Sequence, residues 1–287
     1  MQRAAELLRA GRLVAFPTET VYGLGANALD AAAVERIYEA KGRPHSSPLI
    51  VHVESIAMAR ELAASWPGRA ELLARRFWPG PLTLVVPKKA IVPDVVTAGL
   101  PSVALRMPAH PVAIELLRAA RIPLAAPSAN RFTQLSPTTA QHVRESLGDR
   151  VDMILDGGAC AVGIESTVLS LAGGSPRILR PGMITRPEIE AAIGPIEEGA
   201  GKESPGQHPK HYSPRTRVVL GASPALGRGV RLDFSNMPGD PHAYAERLYG
   251  RLHELDRENY DWIAIEMPPD TPEWAGVRDR LSRAAFS

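Results

Sequence analysis

Residues 13–25 read LVAFPTETVYGLG. The first four, Leu13–Phe16, form a short apolar run that predicts a buried strand, and the following proline ends it. Residues 18–20 then bring hydroxyl and carboxyl groups to the end of that strand, next to the Gly23-Leu-Gly25 sequence. Glycine lets a backbone approach a ligand closely, so this end of the strand is either a simple turn or part of a binding site.

Three further polar segments interrupt the chain at the boundaries of predicted elements. They are KGRPHSSP at 41–48, APSAN at 126–130, and GIESTV at 163–168, which is followed by RPG at 180–182. Each combines glycine or proline with small hydroxyl or charged residues, a composition typical of turns. Taken singly, each is either a turn or a ligand contact, but four such segments together favour one shared site.

The strongest chemical signal is Lys41-Gly42-Arg43, directly after a helix predicted over residues 31–41 with Asp30 as its N-cap. Cations are favoured at any helix C-terminus, which is the simpler explanation. The glycine permits a tight turn through which both side chains can reach one pocket, and lysine with arginine suits a polyphosphate. No P-loop sequence is present.

Two polar residues lie in apolar strands. His52 is inside the run Leu49–Val53, and Arg106 ends the run that begins at Val103. The histidine is either a core residue or a ligand contact. The arginine is either a surface residue or a forked partner for a carboxylate. The spacing of apolar residues alone does not decide between these two roles for either residue.

Composition indicates a globular protein with two domains, since 287 residues exceed the roughly 150 of one domain. The 33 Lys and Arg against 31 Asp and Glu leave a net charge of +2, which argues against a protein that coats nucleic acid. A single cysteine, Cys160, excludes a disulfide scaffold and suits the cytoplasm. No signal peptide or membrane-spanning run is recognisable, so we expect no membrane contact.

Strands and helices intermingle over residues 1–196, which predicts an α/β domain with a mixed sheet. Residues 197–214 hold almost no apolar side chains and predict a linker. Strand and helix patterns alternate over residues 215–287 and predict a small α/β domain with a parallel sheet.

Eight motifs occur in order along the first domain: PTETVYGLG, KGRP, PLIVHV, FWPGPLTLV, ALRMPAHP, APSANRF with SPTT, GIESTV and RPGMIT. Over residues 5–195 they resemble the YrdC-like family of L-threonylcarbamoyl-AMP synthases. The SPG…HYSP sequence and the domain after it resemble the longer, two-domain subgroup. The resemblance implies an open, twisted mixed sheet with a concave basic cavity, followed by a small Rossmann-like domain.

The resemblance also implies a reaction. The family joins L-threonine, bicarbonate and ATP into threonylcarbamoyl-AMP and pyrophosphate, and Mg²⁺ accompanies the ATP. A downstream enzyme then transfers the threonylcarbamoyl group to the adenosine next to the anticodon of tRNA. Weak contact with tRNA is therefore expected.

The same resemblance implies site residues. Lys41 and Arg43 are expected to be catalytic, through contacts with the ATP phosphates. The other expected ATP contacts are Ser47, Ser102, Ser128, Asn130, Ser136, Arg180, His211 and Tyr212. The expected threonine contacts are Thr20, His52, Arg106, Ala126 and Ser166, with Arg106 on the amino-acid carboxylate. The linker is expected to act as a lid over the cavity, with a plain spacer as the alternative.

Two other functions fit parts of the sequence. A carbamoyltransferase that shares the YrdC-like domain is expected to carry cysteine-rich zinc motifs, and one cysteine in 287 residues argues against it. An RNA-binding regulator without catalysis is disfavoured by the net charge of +2 and by an aromatic content of only 5%.

Overall fold

The computed structural model of the chain describes residues 1–197 and 212–286. Within the first of these ranges, the strands form one nine-stranded sheet. Its strands are β1 (Val14–Phe16), β2 (Gly23–Asn27), β3 (Ile50–His52), β4 (Leu82–Pro87), β5 (Ser102–Arg106), β6 (Leu124–Ala125), β7 (Met153–Ile154), β8 (Thr167–Ser170) and β9 (Arg177–Arg180).

Helices accompany this sheet along the chain. They are α1 (Gln2–Arg9), α2 (Ala31–Lys41), α3 (Ile56–Leu62), α4 (Gly68–Phe77), α5 (Asp94–Thr97), α6 (Pro111–Ala120), α7 (Ala140–Leu147) and α8 (Arg186–Ile193). None of the helices within residues 1–197 and 212–286 is both long and apolar enough to cross a membrane.

The strand order is β7-β1-β2-β6-β3-β5-β4-β8-β9. Strand β3 pairs parallel with β5 and antiparallel with β6, while β4 pairs antiparallel with β5 and parallel with β8. The predicted mixed sheet is therefore confirmed. In the β3–β5 register, His52 lies opposite Arg106 and Ile50 lies opposite Ala104. The two polar residues that interrupt apolar strands thus stand side by side.

Helix α2 forms and ends as its sequence predicts. The Asp30 side chain accepts hydrogen bonds from the backbone N–H groups of Ala32 and Ala33, which caps the first turn. Gly42 ends the helix with a φ of 62°, a left-handed conformation that suits glycine. The turn carries Arg43 into the protein interior, where it is only 6% exposed.

Two elements differ from the prediction. Strand β2 begins in the glycine-containing part of the first polar segment, where the sequence predicted a turn or a part of a binding site but no strand. A Cβ on Gly25 would lie 2.8 Å from Cε1 of Phe16, so the bare glycine lets this strand pack against the ring. The sequence pattern predicts helix over Glu61–Phe77 with a break at Pro67-Gly68, but α3 already begins at Ile56, because Ser55 Oγ accepts a hydrogen bond from the Met58 N–H.

The C-terminal residues form a second, smaller unit. It contains β10 (Arg217–Leu220), β11 (Gly229–Leu232), α9 (Pro241–Arg257), β12 (Trp262–Ile265) and α10 (Ala275–Ala284). Strand β12 lies between β10 and β11 and is parallel to both. The predicted small parallel α/β arrangement is confirmed.

The smaller unit packs directly on the last polar segment, at GIESTV and at the RPG that follows it. A Cβ on Gly163 would lie 2.3 Å from the carbonyl oxygen of Ala245 on α9. A Cβ on Gly276 of α10 would lie 2.9 Å from the backbone of Gly182. Because neither glycine leaves room for a side chain, both helices approach these segments closely.

Candidate active site

All four polar segments line one cavity. Its wall combines hydroxyl groups, three arginines, one histidine and one glutamate with small apolar residues: Thr18, Thr20, Val21, Gly23, Arg43, Ile50, His52, Arg106, Ala126, Pro127, Ser128, Glu165, Ser166, Arg180 and Tyr212. The cavity thus brings together nine of the residues that the sequence singled out, from segments far apart in the chain.

Arg106 is held by a carboxylate and a hydroxyl. Its Nη2 donates to Oε1 of Glu19 at 2.7 Å, and its Nη1 donates to Oγ1 of Thr20 at 2.9 Å. The other Glu19 oxygen accepts from the Ala109 N–H at 2.9 Å. Both oxygens of this buried carboxylate are therefore used, and the guanidinium is fixed in orientation. Sequence reasoning missed Glu19, whose signal is a carboxylate within PTETVYGLG.

His52 is a buried ring with a nitrogen that lacks a partner. Its Nδ1 accepts and donates no hydrogen bond among the described residues. Burial, and then the charge of Arg106, lowers the pKa of His52 to about 3, so the ring is neutral at physiological pH. Because buried polar groups are nearly always hydrogen-bonded, this nitrogen favours a ligand contact over a core role.

Arg43 is a buried cation oriented by backbone carbonyls. Its Nε donates to the carbonyl of Ser47 at 3.3 Å, and its Nη2 donates to that of Pro48 at 3.1 Å. The guanidinium carbon lies 5.7 Å from the centroid of the Phe132 ring. Burial lowers the pKa of Arg43 to about 10, so the side chain still carries its charge near neutral pH.

Lys41 is placed differently from Arg43 and is not among the lining residues. Its Nζ donates to the carbonyl of Ser128 at 2.6 Å and to that of Asn130. Burial, and then the charge of Arg43, lowers the pKa of Lys41 well below its usual value. The amine therefore holds the backbone of the Ser128–Asn130 turn, one residue of which lines the cavity.

Arg180 and Ser166, which both line the cavity, are hydrogen-bonded to each other. The Nε and Nη2 of Arg180 donate to the carbonyl of Ser166 at 3.1 and 2.9 Å. Nη2 also lies 3.1 Å from Ser166 Oγ, and that hydroxyl lies 2.8 Å from Oγ1 of Thr83. Elsewhere in the wall, Ala126 presents a methyl group, while its N–H donates to the carbonyl of Ile50 at 2.9 Å.

Glu165 is a buried carboxylate that the sequence analysis did not single out. It accepts from Ser136 Oγ at 2.5 Å, from the Tyr249 hydroxyl at 3.1 Å and from Arg280 Nε at 2.7 Å. Burial by itself would raise its pKa, but the charges of Arg280 and Arg180 and the Ser136 hydrogen bond hold the pKa at about 2. Its signal in the sequence is a charged residue in the middle of GIESTV.

Several predicted ATP contacts lie beside the cavity and are not among its lining residues. Ser136 binds Glu165, and Ser47 offers its carbonyl to Arg43. Asn130 Nδ2 donates to two backbone carbonyls, while its buried Oδ1 lacks a partner among the described residues. Ser102 lies on the same face of β5 as Arg106, at the other end of the strand.

Tyr212 brings the end of the predicted linker to the cavity. Its φ is 59°, and the residue is 1% exposed. The Arg280 guanidinium carbon lies 5.1 Å from the centroid of its ring, and the Tyr249 ring centroid lies 6.0 Å from it. Residues 198–211 of the linker, which include His211 and the SPG sequence, lie outside the described residues.

Comparison with known proteins assigns both parts of the chain. Residues 6–182 match the model of the Sua5/YciO/YrdC family, which is described as "Telomere recombination". Residues 184–286 match the model described as "Threonylcarbamoyl-AMP synthase, C-terminal domain".

The chain belongs to the Sua5/YciO/YrdC family. It is 50% identical over 315 residues to the threonylcarbamoyl-AMP synthase of Pyrococcus abyssi, covering 98% of this chain and 93% of that protein. It is 43% identical over 319 residues to the threonylcarbamoyl-AMP synthase of Bacillus subtilis, covering 99% of this chain and 92% of that protein.

A solved structure of this family extends the match to the fold. The crystal structure of P. abyssi Sua5 complexed with L-threonine superposes with a TM-score of 0.92 and 40% identity, covering 99% of this chain and 93% of that one. The Sua5-type fold, a YrdC-like sheet followed by a C-terminal α/β unit, is confirmed.

The neutral state of His52 gives a prediction. In the folded protein, the His52 ring should show no titration from about pH 8 to about pH 5, because burial and Arg106 lower its pKa to about 3. In denaturant the pKa of the same ring should be about 6.5. The unfolded chain then binds a proton that the folded chain does not, so this residue makes the free energy of unfolding fall as the pH drops below about 6.5.

Histidine ring NMR shifts, assigned by comparison with His52→Gln, measure this directly. A His52 resonance in the folded protein that titrates near the denatured value would contradict the burial argument.

Proposed function

We propose that this chain is a threonylcarbamoyl-AMP synthase, which converts L-threonine, bicarbonate and ATP into threonylcarbamoyl-AMP and pyrophosphate. The observation that carries the proposal is one cavity in which Arg43, Arg106 and Arg180 surround a neutral His52 and several hydroxyl groups. Relatives that match 98–99% of the chain bear this name. Three cations suit a site in which anionic reactants must approach each other.

The Arg106 side of the cavity is proposed to bind threonine. Three of the five Arg106 N–H groups are used by Gly80, Thr20 and Glu19 among the described residues. The two that remain can bind the amino-acid carboxylate. The neutral ring of His52 is proposed to bind a polar group of threonine, and Thr20, Ala126 and Ser166 complete this end.

The Arg43 and Arg180 side is proposed to bind the nucleotide. The phosphates would face these two guanidinium groups, and Ser128 and Tyr212 line the same cavity. Lys41, Ser47, Asn130 and Ser136 support the cavity wall from beside it, as their hydrogen bonds indicate. Ser102 and His211 complete the proposed ATP contacts.

The proposed chemistry needs little acid–base machinery. The neutral amine of threonine and bicarbonate form a carbamate with loss of one water molecule, made from an amine proton and the bicarbonate hydroxyl. A carbamate oxygen then attacks the α-phosphate of ATP, and pyrophosphate leaves as the α–β phosphoanhydride bond breaks. Charge neutralisation and positioning by the arginines supply the rate. Lys41 contributes by fixing the Ser128 carbonyl, and therefore the turn that faces the nucleotide.

Mg²⁺ is proposed to enter with ATP as part of the substrate. Glu165 in the cavity wall and Glu19 beside the cavity are each paired with an arginine. Residues 1–197 and 212–286 hold no cluster of three or more metal-ligating side chains. The phosphate oxygens and water are therefore the ligands proposed for this ion.

The proposal divides the chain into a catalytic domain over residues 1–196, a linker over 197–214 that covers the site, and a C-terminal domain over 215–287. Tyr212 supports the linker assignment, because it reaches the cavity wall.

The reaction is proposed to take place in the cytoplasm. There, a downstream enzyme would transfer the threonylcarbamoyl group to tRNA, with at most weak tRNA contact by this chain.

The reaction gives the first test of this function. Pyrophosphate should be released from MgATP only when L-threonine and bicarbonate are both present, because the carbamate is the attacking group. A coupled pyrophosphate assay with each component omitted in turn measures this. Steady formation of ADP, or turnover that ignores threonine, would refute the synthase assignment and favour another use of the nucleotide.

The two ends of the cavity should respond differently to mutation. Arg43→Ala should lower kcat by about 10²–10³, the usual loss for one charge-stabilising contact. Arg106→Ala should chiefly raise the KM for threonine, because the carboxylate loses its forked partner. Lys41→Ala should also lower kcat, through displacement of the Ser128 turn.

Arg75→Ala is the matched control, because this arginine is exposed on α4 and pairs with Glu71. Its kcat and its KM for threonine should equal those of the unmodified protein. The assignment of the two ends is wrong if calorimetry shows that Arg106→Ala binds threonine normally but no longer binds ATP.

A further inference from the structure

The C-terminal unit reaches the cavity wall through one buried arginine. The Arg280 side chain, on α10, is 0% exposed. Its Nε donates to Oε2 of Glu165 at 2.7 Å, and its Nη2 donates to the backbone carbonyl of Glu165 at 3.1 Å. Its Nη1 donates to the carbonyl of Pro181 at 2.9 Å. One side chain thus holds both the carboxylate and the backbone of a residue that lines the cavity.

The surroundings of this ion pair come from several elements. Tyr249 on α9 donates its hydroxyl to Oε2 of Glu165 at 3.1 Å, and Ser136 Oγ donates to Oε1 at 2.5 Å. Asp279 lies 2.7 Å from Arg280 Nη1. Close backbone packing at Gly163 and Gly276 fixes α9 and α10 against the same wall. The position of the guanidinium is therefore set by the docking of the two units.

Electrostatic repulsion between Glu165 and bound phosphates explains why the charge of Arg280 is needed. Glu165 is the carboxylate of a cavity proposed to bind the phosphates of ATP, and unpaired it would repel them. It is also close enough to Arg180 for the two charges to interact. Arg280 supplies a compensating positive charge at hydrogen-bond distance, from a part of the chain outside the catalytic domain.

We propose that Arg280 is a positioning residue for ATP: by holding and neutralising Glu165, it makes this wall of the cavity receptive to the phosphates. The C-terminal domain then supplies a functional part of the active site in addition to its packing surface. This role rests on the proposed synthase function and adds a determinant that acts through Glu165 and does not touch substrate.

Steady-state kinetics of the full-length chain test the proposal. Arg280→Met should raise the KM for ATP roughly ten- to hundredfold, the range expected for losing one hydrogen bond to a charged group. The KM for threonine and kcat should change much less. Arg278→Met is the matched control, since this arginine of α10 binds Pro268 and Asp270 within the C-terminal unit.

A double variant separates charge from packing. Glu165→Gln combined with Arg280→Met removes the uncompensated carboxylate, and it should recover most of the affinity for ATP. If the double variant is as impaired as Arg280→Met, Arg280 does not act by neutralising Glu165 and the proposal is overturned. It is equally overturned if Arg280→Met keeps the normal KM for ATP.

The pH dependence provides a second readout. The charged and titratable groups that face Glu165 are Arg280 and Asp279 on α10, Tyr249 on α9, Arg180 on β9 and Tyr212. The pKa of Glu165 is about 2 with Arg280 present, so its titration should not affect ATP binding near neutral pH.

Without Arg280, burial is opposed by fewer positive charges, and the pKa of Glu165 rises. Lowering the pH of Arg280→Met from about 8 to about 5.5 should then protonate the carboxyl group and lower the KM for ATP towards that of the unmodified protein. If Arg280→Met caused only a loss of packing, the ratio of its KM for ATP to that of the unmodified protein would not change with pH. That result would overturn the proposal.

Folding and function can be kept apart. If circular dichroism shows that Arg280→Met is unfolded, the double variant and Arg280→Lys decide, because lysine keeps the charge but loses the fork. Arg280→Lys should then raise the KM for ATP less than tenfold, and the double variant should have a KM for ATP close to that of the unmodified protein. A KM for ATP that is raised tenfold or more in the double variant would refute the role. If the unmodified protein itself makes no pyrophosphate from threonine, the proposed function fails, whereas calorimetry of MgATP binding to each variant still tests Arg280.

Discussion

Three arginines buried around one cavity are the constraint on which this structure depends. Burying a cation costs free energy unless the cation is hydrogen-bonded. Each guanidinium must therefore be hydrogen-bonded by the protein and still be able to bind an anionic ligand. The chain solves this in three ways. Glu19 and Thr20 orient Arg106, carbonyls orient Arg43, and the Ser166 carbonyl orients Arg180.

These supports explain the polar segments at the ends of strands. Glu19 and Thr20 are in the loop after β1, while Ser47 and Pro48 precede β3. The polar groups of these residues therefore accept hydrogen bonds from the arginines and fix the orientation of the guanidinium groups. His52 differs, because it has a buried nitrogen with no partner among the described residues and stays uncharged beside Arg106. A site that combines fixed cations with a neutral acceptor or donor suits an amino acid next to a polyphosphate.

The two units of the chain are joined at the same place. Arg280 and Tyr249 come from the C-terminal helices, and both bind Glu165 in the wall of the cavity. The C-terminal family match begins at residue 184, close to the RPG segment that α10 contacts. The cavity wall and the interface between the two units thus share Glu165.

The sequence predicts those features whose causes are local. Asp30 and Gly42 define α2 within a few residues, and the motif order identifies the family and the segments that line the cavity. Non-local contacts could not be predicted in this way. The Lys41 amine binds carbonyls 87 and 89 residues away, and Arg280 binds a carboxylate 115 residues away. Strand β2 depends on pairing with β1 and on packing against the Phe16 ring, which together override the low strand preference of glycine.

The most direct test of the account is to identify the product. The protein is incubated with MgATP, L-threonine and ¹³C-bicarbonate, and the mixture is analysed by mass spectrometry. The account predicts an adenylate that contains threonine and one ¹³C atom, in an amount equal to the pyrophosphate released. AMP or ADP without a labelled threonine conjugate would contradict it.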